Sequence, residues 1–392
     1  MSALISDDIQ WLREKHLIIW GCGHFGSFML RMLDDLEIPV LCVIDKKAKE
    51  SNKVSIEGVA HELKTPDMLP DMLLEYGKDN IHICVVIDEA PEVITLLKNL
   101  ELVEDKHYRH VKSQFKSAYM WDSVIGAIYE KYIKADWAKN PPMFQIIEIE
   151  TISKCNNDCS FCPVGINHDT REPAYMEQPL FEKIISELRE INYEGWIGLF
   201  SNNEPFLDPL LIRRLEYVKT ALPNVRLQLY TNGTLLTLDK FLESRLFIDK
   251  YVINSYGDGL TLSENAQRIK DYLASHSEED NKIEFWYRIK NEVLTSRGGR
   301  APNRREYIAP KAGCAHPFFQ TSLRANGKMY MCCNDALQDR CLGDANRQSI
   351  MEIWRGRLYQ DFREKMIKYG RQGLSYCVNC DSYPSYYLYS KK

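Results

Sequence analysis

Three features of the 392-residue sequence predict an α/β fold in three parts. A strand, a glycine turn, a helix and a second strand open the chain. A long alternation of strand and helix patterns fills the middle. In the final portion that alternation stops and cysteines gather. Apolar residues make up 45% of the sequence and charged residues 27%, as in an ordinary globular protein. The net charge of -5 offers no basic footprint, so nucleic acid is not expected as a partner. No uncharged apolar run reaches the roughly 18 residues that cross a bilayer, and no membrane association is expected. The start, MSALISDDIQWLREKH, lacks a basic stretch followed by an apolar one, so the expected location is cytoplasmic.

The first part begins HLIIWGCGHFGSFMLRMLDDLEIPVLCVID. HLIIW reads as a strand, GCGHFG as a turn, SFMLRMLDDL as a helix and IPVLCVID as the next strand, which makes a βαβ unit. IHICVVID adds a strand and PEVITLLKNL a helix, and the domain is placed at 1–111. Residues 112–142 read as a helical linker broken at WAKNPP. Five strand patterns follow, FQIIEIET, WIGLFS, VRLQLYTNG, KYVINSY and IEFWYRI, with helix patterns such as PLFEKIISELREI between them. This order predicts a parallel sheet with helical crossovers, closed or partly closed into a barrel, over 143–310. The cysteine-rich part takes 311–392.

The sequence holds 12 cysteines. Cytosolic thiols stay reduced, so disulfides are not expected. Cys22, Cys42 and Cys84 stand singly in apolar surroundings and read as core. The other nine fall within 155–162 and 314–380, a clustering that suggests metal or redox chemistry. In KCNNDCSFCPVG, Cys155, Cys159 and Cys162 follow the first barrel strand, at the strand ends where barrels build their active sites. Three thiolates are one short of a closed zinc site. On an iron–sulfur cluster the vacancy leaves one iron open to a substrate or cofactor.

This stretch resembles the cysteine signature of the radical S-adenosylmethionine (SAM) enzymes, with Phe161 as its aromatic. The resemblance implies a partial (β/α)6 barrel. It also implies a [4Fe-4S] cluster on Cys155, Cys159 and Cys162 whose open iron is chelated by SAM. SNNEPFLDP resembles the family's Gly-Gly-Glu-Pro segment facing the SAM amino group. Glu204 is retained there, while Asn202 and Asn203 replace the glycines. Asn254 or Ser255, at the fourth strand, would meet the ribose. Arg288 is the candidate partner of the SAM carboxylate, since a guanidinium pairs well with a carboxylate; read alone, it is a surface ion-pair residue.

In CAHPFFQTSLRANGKMYMC, the turn ANGKM reads as a hairpin that brings its flanking cysteines together. Cys377-Val-Asn-Cys380 adds a paired loop. Cys314, Cys332, Cys377 and Cys380 would close a zinc or an iron–sulfur cluster completely. The pattern, with LGDANRQSIMEIWRG between the pairs, resembles the SPASM or shorter twitch extensions of radical SAM enzymes. Its spacing is similar to that of twitch-type cyclitol dehydrogenases, which implies one auxiliary [4Fe-4S] cluster. Cys333 and Cys341 are left over. They read as a buried and a surface thiol, or one of them replaces Cys332 as a ligand; the resemblance also offers Cys333 as the hydrogen-atom donor that some epimerases of the family use. His316 is read either as a base or as a local hydrogen-bond partner.

Gly21, Gly23 and Gly26 form G-x-G-x-x-G, and Asp45 ends the next strand. These residues suit a nucleotide pyrophosphate and ribose, or simply a tight strand-to-helix turn. The part resembles the small Rossmann-like modules of glycan-modifying enzymes. Together the resemblances imply oxidation of a carbohydrate or cyclitol alcohol, nucleotide-linked or free, with an electron donor such as flavodoxin or ferredoxin. Epimerisation, peptide modification and a zinc-containing nucleotide sensor are the alternatives.

Overall fold

The computed structural model describes residues 2–49, 52–56, 58–87, 90–111, 118–131, 133, 141–257, 259–276, 282–304, 306, 309–310 and 313–382. The chain divides into two units. One comprises Met1–Trp137, Pro310–Cys314 and Tyr383–Lys392, and the other Ala138–Ala309 and Ala315–Ser382.

In the first unit, apolar runs buried on both faces make the central strands. These are β1 (His16–Trp20), β2 (Val40–Ile44) and β5 (Ile81–Val85), joined by β3 (Lys53–Ile56), β4 (Val59–Lys64) and β6 (Tyr108–His110). The order is β3-β4-β2-β1-β5-β6, parallel except for the β3–β4 hairpin. Helices α1 (Ser2–Glu14), α2 (His24–Asp35), α3 (Leu69–Tyr76), α4 (Pro91–Asn99) and α5 (Ala118–Ile128) complete it. Within the expected linker, α5 is present; residues 112–117, 132 and 134–140, most of the WAKNPP break, lie outside the described residues. Cys42 and Cys84 are wholly buried, and burial pushes both thiols up to about 12, so they act as small apolar core residues.

The second unit is built on β7 (Ile146–Ile149), β8 (Trp196–Gly198), β9 (Arg226–Thr231), β10 (Lys250–Ser255) and β11 (Ile283–Tyr287), which pair in parallel in sequence order. Between them run α6 (Gln178–Glu190), α7 (Leu211–Ala221), α8 (Leu238–Ser244) and α9 (Glu264–Ser275). α6 buries Phe181, Ile184, Ile185 and Leu188, one stripe at helical spacing. The tail contributes α10 (His316–Phe319), β12 (Gln320–Leu323), β13 (Lys328–Tyr330), β14 (Cys341–Asp344), α11 (Ile350–Trp354) and α12 (Arg357–Tyr369).

The sheet order is β11-β10-β9-β8-β7-β12-β13-β14. Five strands run in sequence order, and the sixth parallel strand, β12, joins β7 from the other side. The tail thus continues the barrel sheet. Its hairpin turn needs a glycine: Gly327 sits at φ +80, and an added Cβ would lie 2.3 Å from Asn346.

Candidate active site

β7 ends at Ile149, and the chain then leaves the sheet as a loop of turns that carries three thiols. The amide of Cys162 donates to the Cys159 carbonyl (3.0 Å), and that of Gly165 to the Cys162 carbonyl (3.2 Å). Ser160 fastens the loop to the chain after β11, its amide and hydroxyl both donating to the Lys290 carbonyl (3.2 and 3.1 Å). Cys159 is buried, and Cys155 and Cys162 are half-buried. Burial, with the charges of Glu204 and Cys162, pushes Cys155 up to about 12. Burial, with the other two thiols, does the same to Cys159. Two thiols that resist ionisation, Cys155 and Cys159, with Cys162 beside them, fit a cationic core, because a bound metal offsets the cost of burying their thiolates. A cubane cluster fills the space between its cysteines with its own irons and sulfides. Its ligands need not meet at a point, and among the described residues no three His, Cys, Asp or Glu side chains do.

The loop after β8 holds the second group of expected cofactor residues. Glu204 is buried, and its carboxylate accepts from Thr231 Oγ1 (2.7 Å), the Asn232 amide (2.8 Å) and the Phe206 amide (3.1 Å). It clamps the end of β8 to the end of β9. Asn202 turns away from that side. Its Nδ2 donates to the Cys333 carbonyl (2.8 Å), and its Oδ1 accepts from the Arg297 guanidinium. Asn203 Oδ1 accepts from the Ser201 amide (2.9 Å), and its Nδ2 is buried with no protein partner, a donor left for a bound group. Asparagines in place of glycines therefore knit this loop to the tail.

At the far strands, Asn254 is buried at the end of β10, while the Ser255 hydroxyl donates to the Thr261 carbonyl. Arg288, one residue past β11, is held by Glu292 (3.1 Å) and lies over the Trp286 ring. Sequence reasoning missed Tyr256. Its ring packs on Phe161 with centroids 5.7 Å apart. Burial and the charges of all three thiols keep its hydroxyl protonated, against the pull of Arg288. Tyr256 thus joins the cysteine loop to the ends of β10 and β11.

Beneath these loops lies a buried polar layer that sequence reasoning also missed. Glu148 and Glu150 alternate with isoleucines in IIEIE, so both face inward, and this was its readable signal. Glu150, with no exposed surface, pairs with Arg171 (3.1 Å) and Arg324 (3.2 Å), and accepts from the Asn202 amide (2.9 Å). Glu148 accepts from Ser201 Oγ (2.6 Å) and Gln320 Nε2 (2.9 Å). Burial raises its proton affinity, while Ser201, Arg324 and Arg297 oppose the rise. His316 Nδ1 lies 2.7 Å from Gln320 Oε1, and burial lowers its pKa to about 4, so the ring is neutral. Gln320 Nε2 also lies 4.0 Å from Cys333 Sγ. Arg297 feels the charges of Cys333, Cys162, Tyr376 and Glu148, which places it between the triad and the tail.

In the tail, Cys332 is buried just past β13, and Cys377 and Cys380 are buried in a short turn closed by the Cys380 amide on the Cys377 carbonyl (3.0 Å). Cys332 and Cys380 both act on the Tyr376 hydroxyl. This turn also carries Arg297: the Ser296 amide donates to Asp381 (2.7 Å) and Ser296 Oγ to the Asn379 carbonyl (2.7 Å). Cys314 is buried and groups with the first unit, and Cys341 is exposed.

A radical SAM superfamily model matches residues 149–254, and a SPASM iron-sulfur cluster-binding domain matches residues 314–381. The chain is a radical SAM enzyme with a SPASM domain. It is 27% identical over 243 residues to the S-adenosyl-L-methionine-dependent 2-deoxy-scyllo-inosamine dehydrogenase of Niallia circulans, across 61% of this chain and 94% of that protein. The crystal structure of BtrN in complex with AdoMet and 2-DOIA is 26% identical, covers 62% of this chain and 94% of its own, and superposes with a TM-score of 0.54. BtrN in an open conformation gives 22% identity over the same shares and a TM-score of 0.46. This radical SAM enzyme is an oxidoreductase whose cofactors are [4Fe-4S] clusters and S-adenosylmethionine. No helix among the described residues is long and apolar enough to cross a membrane.

The glycine turn of the first unit is explained by packing. Gly21 sits at φ +108, and a Cβ on Gly26 would lie 1.9 Å from the Gly21 carbonyl oxygen. Gly23, by contrast, opens onto free space. The Asp45 carboxylate accepts from the Cys22 amide (2.8 Å) and the Lys47 amide (2.9 Å). Burial alone would raise its pKa, but these donors hold it below the ordinary range.

Proposed function

We propose that this enzyme oxidises a carbinol carbon of a cyclitol or sugar, free or nucleotide-linked, to a ketone. Cys155, Cys159 and Cys162 are assigned to the SAM-binding cluster. Cys314, Cys332, Cys377 and Cys380 are assigned to one auxiliary cluster on their spacing and the family match over that stretch. Asn203, Phe161, Tyr256 and the ends of β10 and β11 are assigned to SAM. Once bound, these groups supply a 5′-deoxyadenosyl radical as hydrogen-atom abstractor and an auxiliary cluster as acceptor of the second electron. A donor of the flavodoxin or ferredoxin type would reduce the first cluster.

The observation that carries this reading is the charged layer between the triad and the tail. Arg297, sensed by both Cys162 and Cys333, keeps accessible surface deep in the second unit, as does Cys333. Arginine, glutamate, serine and glutamine around one interior space suit a small polyhydroxylated molecule. The likeness to a cyclitol dehydrogenase supports the same substrate class. A second reading, epimerisation, rests on Cys333, whose thiol burial pushes up to about 12 and so keeps its hydrogen. The first unit is read as a Rossmann-like module. The engagement of Asp45 by two backbone amides favours a structural role for its glycines over a nucleotide.

Two measurements test the proposal. Anaerobically prepared protein should contain about eight irons, falling to about four in a Cys155/Cys159/Cys162→Ala variant. Zinc in both, with little iron, would overturn the ligand assignment. With SAM, a reductant and cyclitol substrates, a ketone supports oxidation, while an inverted centre carrying solvent deuterium supports the Cys333 reading.

A further inference from the structure

Oxidation of a carbinol by hydrogen-atom loss leaves a hydroxyl proton that some group must accept. His316 was the sequence candidate, but it is turned to Gln320 and reaches the layer only through that amide. Glu148 is the carboxylate in the right place. It lies on β7, seven residues before the first triad cysteine, with its side chain facing inward and part of its surface still accessible. Every element packed against it contributes a group. Ser322 and Gln320 come from β12 and Arg324 from the residue just past it, Ser201 from the loop after β8, Arg297 from the chain after β11 and Cys333 from the chain after β13. The two arginines favour the carboxylate form in a site that would otherwise neutralise it. Ser201 and Gln320 each donate to a different oxygen, which fixes the plane of the carboxylate.

We propose that Glu148 is the catalytic proton acceptor for the substrate hydroxyl, with His316 and Gln320 as positioning residues. This rests on the alcohol-oxidation reading above. The balance is complete. The carbinol C–H hydrogen atom goes to the 5′-deoxyadenosyl radical, the O–H proton goes to Glu148, and the remaining electron goes to the auxiliary iron–sulfur cluster, leaving a C=O bond. Burial raises the proton affinity of Glu148 above that of an ordinary glutamate, which brings it nearer the working range of a general base.

The test uses the full chain with both clusters, in wild-type, Glu148→Gln and Glu148→Asp forms, with iron content as the check on folding. The probe is 2-deoxy-scyllo-inosamine deuterated at the oxidised carbon. In Glu148→Gln, deuterium should still reach 5′-deoxyadenosine while ketone falls by about 100-fold or more, with partial recovery in Glu148→Asp. Ketone formation by the wild type should rise with pH through a step above the ordinary glutamate range, because the base works deprotonated, and Glu148→Gln should lose the step. Without substrate, infrared spectra of the wild type should show a protonated carboxyl band that disappears across the same step and is missing from Glu148→Gln. Ketone within threefold of wild type would overturn the proposal. So would joint loss of ketone and deuterium transfer, which assigns Glu148 to holding substrate. Should the wild type move no deuterium from any cyclitol, the oxidation reading falls. The infrared arm still judges Glu148: a band unchanged in Glu148→Gln, or titrating in the ordinary range, removes it as the base.

Discussion

Glycine 26 has no room for a methyl group. A Cβ there would meet the backbone carbonyl of Gly21 at 1.9 Å, and a backbone atom at the end of a buried strand cannot step aside as a side chain could. Gly26→Ala should therefore cost about 1–3 kcal/mol, the usual price of overpacking, read as a shift in the denaturant midpoint. Iron held by the triad should stay at the wild-type value, because Cys155, Cys159 and Cys162 belong to the second unit. Unchanged stability would mean that the turn is looser than its geometry. The same site shows what single residues disclose in sequence. The glycine pattern was legible, but its cause was not, since a pyrophosphate cradle and a steric collision select the same residue. Glu148 and Glu150 carried a signal that sequence reasoning passed over. Two acids on one face of an apolar strand announce a buried polar site before any partner is known.

At the scale of elements, the strands with unbroken or alternating apolar patterns were readable. β12 was legible as the strand before the ANGKM turn, but its place beside β7 was not: its sequence, QTSL, is largely polar, yet all four residues are buried. Its polar atoms are partnered from other elements: Gln320 by Glu148 and His316, Thr321 by Tyr359, and Ser322 by Ser201. A polar strand can hide in a core only when its partners arrive from distant sequence, which no local pattern reports. β7 is tied to this strand by Glu150, whose carboxylate also meets Arg171 and the Asn202 amide. Glu150→Ala would leave two buried guanidiniums without their shared counter-charge. It should cost about 3–5 kcal/mol in anaerobic urea unfolding, as breaking a buried ion pair does. A loss below 1 kcal/mol would show that solvent reaches this layer and screens it.

For the whole molecule, each unit has a core of its own, but they depend differently on the cofactors. The first unit is held by apolar packing of Ile18, Trp20, Ile44, Ile83 and Val85, all buried strand residues. The second threads irregular stretches around its cysteines: the loop after β7, where the thiols of Cys155 and Cys159 are costly to bury as thiolates without metal, and in the tail the segment between β13 and β14 and the turn at 377–380. Such segments have few ladder hydrogen bonds of their own, so bound clusters are expected to supply much of their order. Stripping the iron with a chelator should raise amide hydrogen exchange over residues 153–176, 331–340 and 374–382, while β1, β2 and β5 keep their protection. This division also explains what the sequence withheld. Cysteine spacing announces a cofactor directly, because its ligands are few and chemically distinctive. The charged layer that receives the substrate is assembled from single residues spread over β7, β8, β12 and the chain between β11 and β12, so only the folded sheet brings it together. Equal loss of protection in β1, β2 and β5 would contradict this account, since it would make the clusters responsible for the first core as well.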